Sequence, residues 1–396
     1  MSQQSESFEQ FAIDVILDRR KGARASALRV VLRGLSFIYR GVVQTRIALY
    51  RRRVIRDHHL GCLVVSIGNL TVGGTGKTPV VELFARALSE GGRKVAILSR
   101  GYKSQKPPLR ERLRARFSGK LLQMPPRVVA DGRKVLLDSR YAGDEPYMLA
   151  RNLGTVPVVV DKDRVKGGLY AIKHFGADTL LLDDGLQYLK LSHRLDVVLV
   201  DRTSPFGNER LLPRGTLREP PENLRRASYI LITKCDDSSN DELVARIRKF
   251  NRVAEIIECR HRPRYLQNLA GDERLPLADL DGKYVSTISG IAVPESFEDG
   301  VRGLGAKIEL TRRYADHHRY EAAEIEQFIE RSLHRDVDMI LTTEKDAVRF
   351  PALGRTDVPI YFLRVEIEIL SGEETWRECV SRICEPRRDL SARRLH

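Results

Sequence analysis

The chain has 396 residues, with 68 Lys or Arg against 53 Asp or Glu and a formal net charge of +15. That length exceeds what one hydrophobic core usually serves, so two domains plus an appendage are expected, and the charge calls for an anionic partner: nucleic acid, a membrane surface or a phosphorylated substrate. Composition excludes a disulfide-stapled domain and a bilayer-spanning helix: the five cysteines (62, 235, 259, 379, 384) show no C-x-x-C spacing or even framework, and no apolar run approaches the roughly 20 residues a span requires.

In chain order, Met1 to Glu9 is polar and acidic and lacks the basic start and apolar core of a signal peptide, so no secretion signal is expected. Residues 19 to 56 contain twelve Arg or Lys and no Asp or Glu. Within them Leu28, Val31, Leu32, Leu35, Ile38 and Val42 recur at helical spacing, while Arg29, Arg33, Ser36, Arg40 and Gln44 fall on another side. This is an amphipathic basic helix, either lying on a membrane or packing its apolar side on the main domain. Anionic lipid contributes about 1 kcal/mol per nearby Lys or Arg, so several arginines suffice to hold it. No nucleic-acid module accompanies the charge, and no nucleic-acid partner is expected.

Short aliphatic runs at Cys62–Ile67, Lys94–Leu98, Val156–Val160, Thr179–Leu182, Val197–Val200 and Tyr229–Ile232 alternate with helical stretches at Thr78–Glu90, Glu145–Asn152 and Val165–His174. Such alternation predicts an α/β fold, a P-loop NTPase-like parallel sheet with helices on both faces. After the first strand comes Val72-Gly73-Gly74-Thr75-Gly76-Lys77-Thr78, with Thr71 where the strict phosphate-loop pattern has glycine. The glycines let successive N–H groups converge on an anion, Lys77 reaches terminal phosphates, and Thr78 offers a hydroxyl to magnesium at the positive end of a helix dipole. The bland alternative is a glycine-rich turn.

The basic stretch Ser104–Pro126, with its two Pro-Pro pairs, reads as a loop insertion. Gly143-Asp144-Glu145-Pro146 opens a helix as an acidic cap or as a general base facing the terminal phosphate. Arg164 follows a strand, and Arg218-Glu219-Pro220 lies in a proline-rich loop; each is a phosphate or metal-shell candidate or a surface ion pair. Thr179–Leu182 ends in Asp183-Asp184-Gly185, carboxylates for magnesium or helix caps. Thr233-Lys234-Cys235-Asp236 is similar to the base-reading loop of guanine-nucleotide proteins and supports a rival, a GTP-dependent switch or metal-delivery protein. Loop texture over 259–283 marks a linker. A smaller α/β unit follows, with strands near Tyr284–Ser289, Met339–Thr342 and Ile360–Leu363 and a helix near Glu321–Leu333. The expected division is 1–60, 61–260, linker 261–283, 284–385 and a basic tail 386–396. Asp316-His317-His318 offers a histidine, although Asp57-His58-His59 repeats the triplet.

These motifs in this order, with Gly68-Asn69, Ser99-Arg100-Gly101-Tyr102, Asp183-Asp184-Gly185-Leu186-Gln187, Ala315-Asp316-His317-His318 and Thr342-Thr343-Glu344-Lys345-Asp346-Ala347, resemble the tetraacyldisaccharide 4'-kinases over about residues 25 to 365. The resemblance implies transfer of the ATP γ-phosphate, with Mg2+, to the 4'-hydroxyl of a tetraacyldisaccharide 1-phosphate in lipid A biosynthesis. It implies Asp144 as catalytic base assisted by His317, Lys77 and Thr78 on the phosphates, and Asp183 and Asp184 near the metal. Glu145, Arg164, Gln187, Arg218 and Glu219 would position substrate and metal. It further implies a peripheral protein at the cytoplasmic face of the bacterial inner membrane, held by its N-terminal helix, with a glycolipid substrate and no obligate protein partner. The chain departs from the family at Glu209, Arg214 and Thr216, commonly glycine, alanine and proline there, and at Leu186, usually phenylalanine.

Overall fold

The computed structural model describes residues 3–101, 104, 124–354 and 357–385. Tyr102, the tail at 386–396 and most of the insertion expected over 104–126 lie outside the described residues.

The chain opens with α1 (Gln3–Ile16) and α2 (Ala23–Arg51), then β1 (Leu63–Asn69), α3 (Lys77–Glu90) and β2 (Val95–Ser99). Next come β3 (Arg127–Asp131), α4 (Ser139–Ala142), α5 (Asp144–Leu153), β4 (Pro157–Val160), α6 (Arg164–Phe175), β5 (Thr179–Asp183) and β6 (Leu195–Asp201). β7 (Tyr229–Thr233), α7 (Asp241–Arg248), β8 (Glu255–Asn268), β9 (Arg274–Pro276) and β10 (Tyr284–Ser289) follow. The remainder is α8 (Pro294–Gly303), β11 (Lys307–Arg313), α9 (Ala322–Leu333), β12 (Met339–Thr343), α10 (Glu344–Ala347), β13 (Ile360–Ser371) and α11 (Glu373–Cys384).

Two compact units result, one drawn from Met1–Ile97, Ile172–Arg260 and Ile369–His396, the other from Leu98–Ala171 and His261–Glu368. Both are discontinuous, whereas the expected blocks are consecutive. Local texture carries no signal for a chain that leaves a unit and later returns to it.

In the first unit β7, β6, β1 and β5 pair in parallel, and the first part of β8 joins β7. Their continuous apolar runs reflect burial on both faces: Val65, Ile67, Leu180, Leu181, Leu182 and Val197 have no exposed surface. α3 lays Val80, Val81, Phe84, Ala85 and Leu88 against them, all fully buried. Trp376 of α11 meets Phe84 edge-on at 4.6 Å. Parallel pairing brings the carboxyl ends of β1 and β5 together, with Ile67 opposite Asp183, and this is where ligands bind in open α/β sheets.

In the second unit β11, β10, β12 and β13 run parallel, and β3 pairs antiparallel with β4. The stretch expected as a linker carries β8 on to Asn268 and into a hairpin with β9, Tyr265 opposite Pro276. Pro263 and the charged outward positions hide this strand from a reading of alternation. Arg264 Nε donates to Glu366 at 3.1 Å, and Arg262 pairs with Glu368. Two apolar clusters, around Val285, Leu341 and Val301 and around Ile329, Ile340 and Ile288, fill this unit's core.

Candidate active site

In the first unit β1 delivers Asn69 to the sheet's carboxyl edge, and the chain then loops to Gly76, which caps α3 in the left-handed region (φ +76°). Gly73 adopts φ +123°, where a side chain is strained. A Cβ added at Gly73 or Gly74 would meet nothing within 4 Å. The loop is therefore an open cradle at a helix N-terminus, with room for a phosphate against its backbone. Thr233 Oγ1 donates to the Thr75 carbonyl at 3.0 Å, and the Val72 amide donates to the Thr216 carbonyl at 2.7 Å, fixing both ends.

Lys77 Nζ stands 3.3 Å from Asn69 Oδ1 and 3.7 Å from Asp184 Oδ1. Arg218 converges on the same point: Nη1 donates to Asp184 Oδ2 at 2.8 Å and to Gln187 Oε1 at 3.1 Å, Nε donates to the Thr71 carbonyl at 3.0 Å, and Nη2 bonds Asn69. Gln187 Nε2 donates to the Asn69 carbonyl and to Glu219, each at 3.1 Å. Glu219, 2% exposed, is itself paired with Arg226 at 2.8 Å and accepts from Asn223 at 2.7 Å. The expected residues Lys77, Asp184, Gln187, Arg218 and Glu219 thus form one network. Asn69 is its hub, buried and bonded from three sides, a role the sequence does not reveal. Asp183 closes β5 beside them, and Thr78 occupies the second position of α3. Among the described residues no three His, Cys, Asp or Glu side chains gather to hold a metal. Thr78, Asp183 and Asp184 suit an ion that completes its shell with phosphate and water, the usual habit of Mg2+.

α2 presents the opposite of a buried-face helix. Val30, Val31, Leu35, Phe37, Ile38 and Val42 are 46–71% exposed, while polar groups tie the other side down. Ser36 Oγ donates to the Leu211 carbonyl at 2.9 Å, Tyr39 to the Arg218 carbonyl at 3.0 Å, and Gln44 to Asn223 at 3.2 Å. Among the described residues no helix is long and apolar enough to cross a membrane. Between α2 and the loop before Arg218 lies a cleft of about 310 Å³, lined by Arg33, Phe37, Arg40, Arg210, Arg214 and neighbours. Three of the departures from the family pattern, Glu209, Arg214 and Thr216, fall in the loop that borders this cleft. Arg214 donates to the Ile16 carbonyl at 3.1 Å and pairs with Asp18 at 2.6 Å. Glu209 has φ +61°, a conformation that explains the usual glycine, and pairs with Arg246 at 2.6 Å.

In the second unit Asp144 is the first residue of α5 and is 7% exposed. Its Oδ2 accepts from Arg349 Nε at 2.8 Å and lies 3.2 Å from His317 Nδ1; Oδ1 accepts from Arg319 at 3.3 Å. Burial pushes the carboxyl pKa up, but the His317 hydrogen bond, the Arg349 charge and hydrogen bond and the Arg319 charge outweigh it and hold the carboxyl below its usual range. His317 has φ +67° and sits 3.7 Å from Asp316. The expected Asp144–His317 pair is thus present, and Arg319 and Arg349 join it unforeseen. Glu145 takes no part in the network. Arg164 is buried at the start of α6. An ionised carboxylate at a helix start, beside an imidazole, can orient a hydroxyl and accept its proton.

The Thr233–Asp236 loop is internally satisfied. Lys234 pairs with Asp201 at 2.5 Å, and Asp236 accepts from Arg202 at 2.8 Å and from Ser238.

Residues 28–385 match the sequence profile of the family described as tetraacyldisaccharide-1-P 4'-kinase. Relatives include the tetraacyldisaccharide 4'-kinase of Syntrophus aciditrophicus (strain SB), 36% identical over 354 residues, or 87% of this chain and 90% of the relative. That of Anaeromyxobacter dehalogenans (strain 2CP-C) is 39% identical over 341 residues, 85% of each chain. Among solved structures, LpxK from Aquifex aeolicus in complex with ATP is 27% identical, covers 90% of this chain and 100% of that one, and superposes with a TM-score of 0.70.

Proposed function

The chain belongs to the tetraacyldisaccharide-1-P 4'-kinase family, and on that premise we propose that it transfers the γ-phosphate of ATP to the 4'-hydroxyl of a tetraacyldisaccharide 1-phosphate in lipid A biosynthesis. The observation that carries this reading is the open glycine cradle, with Lys77 leading α3 and Arg218 beside Asp184. The backbone amides of residues 73–78 bind the phosphate tail, and Lys77 neutralises its terminal charge. Thr78, Asp183 and Asp184 hold Mg2+, which when bound spreads the charge that builds on the transferring group. Gln187 and Glu219 keep the Arg218 guanidinium aimed at this point. Arg164 and Glu145 help to position the substrate.

A loose phosphoryl-transfer transition state asks mostly for alignment and charge neutralisation. Asp144 therefore orients the sugar hydroxyl and takes its proton late, a task that suits a carboxylate held ionised by arginines. His317 steadies that carboxylate. The exposed apolar side of α2, with Arg24, Arg51, Arg52 and Arg53 at its ends, supports docking on the anionic cytoplasmic face of an inner membrane, where the acyl chains of the substrate reside.

Incubation with ATP, Mg2+ and the tetraacyldisaccharide 1-phosphate, followed by mass analysis, tests the proposal. It is sustained by a lipid bearing one further phosphate, formed with ATP in preference to GTP. Nucleotide hydrolysis that leaves the lipid unmodified would refute it.

A further inference from the structure

Arg349 plays no part in the chemistry above, yet its side chain has no exposed surface. Every edge of its guanidinium is used. Nε donates to Asp144 Oδ2 at 2.8 Å, Nη1 donates to the Gly290 carbonyl and to Asp346 Oδ1, each at 3.1 Å, and Nη2 faces His317 Nδ1 at 3.2 Å. Asp346, also fully buried, is anchored from behind by the Tyr320 hydroxyl at 3.0 Å and by Thr343 Oγ1 at 2.6 Å. Burying a guanidinium is costly unless its charge is paired and its donors are bonded, and here two carboxylates and a carbonyl take three of its five N–H groups, with His317 beside a fourth. Two carboxylates, Asp144 and Asp346, balance two guanidiniums, Arg319 and Arg349.

The His317 contact adds a constraint. Nδ1 lies 3.2 Å from both Asp144 Oδ2 and Arg349 Nη2. Protonated, that nitrogen donates to the carboxylate; unprotonated, it accepts from the guanidinium; it cannot do both. Arg349 thus offers His317 a resting partner that leaves the ring in place whichever tautomer it adopts.

We propose that Arg349, braced by Asp346 and Tyr320, is a positioning residue that locks the Asp144 carboxylate and the His317 ring into a single geometry. The inference rests on the reading of Asp144 as base. Among the described residues, the charged and titratable groups that face Asp144 are His317, Arg319 and Arg349, with Asp316 and Asp346 behind them. Removing the Arg349 charge takes away part of what holds the Asp144 carboxyl low against burial, while His317 and Arg319 remain, so the acidic limb of the rate profile moves to higher pH.

The test is the pH profile of kcat for the wild type, R349Q, R349K and D144N, with KM for ATP measured alongside. R349Q is expected to lose about 10- to 100-fold in kcat, as is common when a supporting partner is removed, with KM for ATP little changed. Its acidic limb should rise by about one pH unit. R349K keeps the charge but not the fork, so its limb stays in place while kcat falls about tenfold. An unmoved limb in R349Q, or wild-type kcat in R349K, would overturn the inference. If R349Q does not fold, R349K decides alone, since a risen limb or undiminished kcat there is equally contrary. Wild-type turnover by D144N would remove the base reading itself; an inactive D144N beside an unmoved R349Q limb removes only Arg349.

Discussion

Around the phosphate loop the cradle itself comes from one run, residues 69–78, and is largely backbone, braced by the side chains of Asp184, Gln187 and Arg218. Around Asp144 the decisive groups are side chains brought from distant segments, Arg349 lying 205 positions away along the chain. The first construction needs correct φ values and empty space, as at Gly73 and Gly76. The second needs charge balance in a buried place, where each partner is answered by another. A backbone cradle survives the loss of most single side chains, whereas a buried ionic cluster transmits the loss of one member to all. Substitutions in the two regions should therefore fail in different ways.

The largest effect is expected from Lys77→Ala, which removes the Lys77 ammonium from the cradle and should lower kcat/KM by about 10³-fold or more. Activity near wild type would take the loop out of the mechanism. Asp144→Ala should lower kcat by about 10²-fold or more while KM for ATP changes little, because the base does not hold nucleotide. Parallel loss of both would make Asp144 a structural residue and erase the contrast.

A smaller effect concerns α2. Replacing Phe37, 65% exposed, by Glu should weaken partition onto anionic lipid vesicles by about tenfold or more, since seating one large apolar side chain contributes roughly 1.5–3 kcal/mol. Unchanged partition would mean that the exposed face does not meet lipid. The smallest effect is in stability against pH. The folded Asp144 carboxyl lies below its unfolded value of about 3.9, so its contribution is present above that value and lost as pH falls through the folded one. Urea unfolding of Asp144→Asn should show a flatter decline below pH 4 than the wild type, and identical slopes would deny that the cluster stabilises the ionised form.

The same contrast explains what was legible in the sequence. β1, β5, β6 and β7 are apolar runs buried on both faces, and α3 carries its own start signal in Gly76-Lys77-Thr78, so the sheet and cradle can be read locally. Asp144 and His317 could be singled out only by motif order and family likeness, because nothing local says that residue 144 meets residue 317. Arg349 was invisible for the same reason, though its spacing of three from Asp346 in a short helical turn is a faint signal. β3, with five residues and an antiparallel partner, and β8, interrupted by Pro263, lack the alternation that marks a strand. The sidedness of α2 was readable. What its apolar side faces was not, since periodicity reports a face and not its surroundings.

The central claim, that the loop at residues 73–78 grips a triphosphate tail, is tested most directly by a crystal structure with a non-hydrolysable ATP analogue and Mg2+. The account expects the β- and γ-phosphates against the amides of this loop, with Lys77 Nζ turned from Asp184 to the terminal phosphate and the ion beside Thr78. An analogue bound elsewhere, with the Lys77–Asp184 pair intact and the glycine cradle empty, would contradict it.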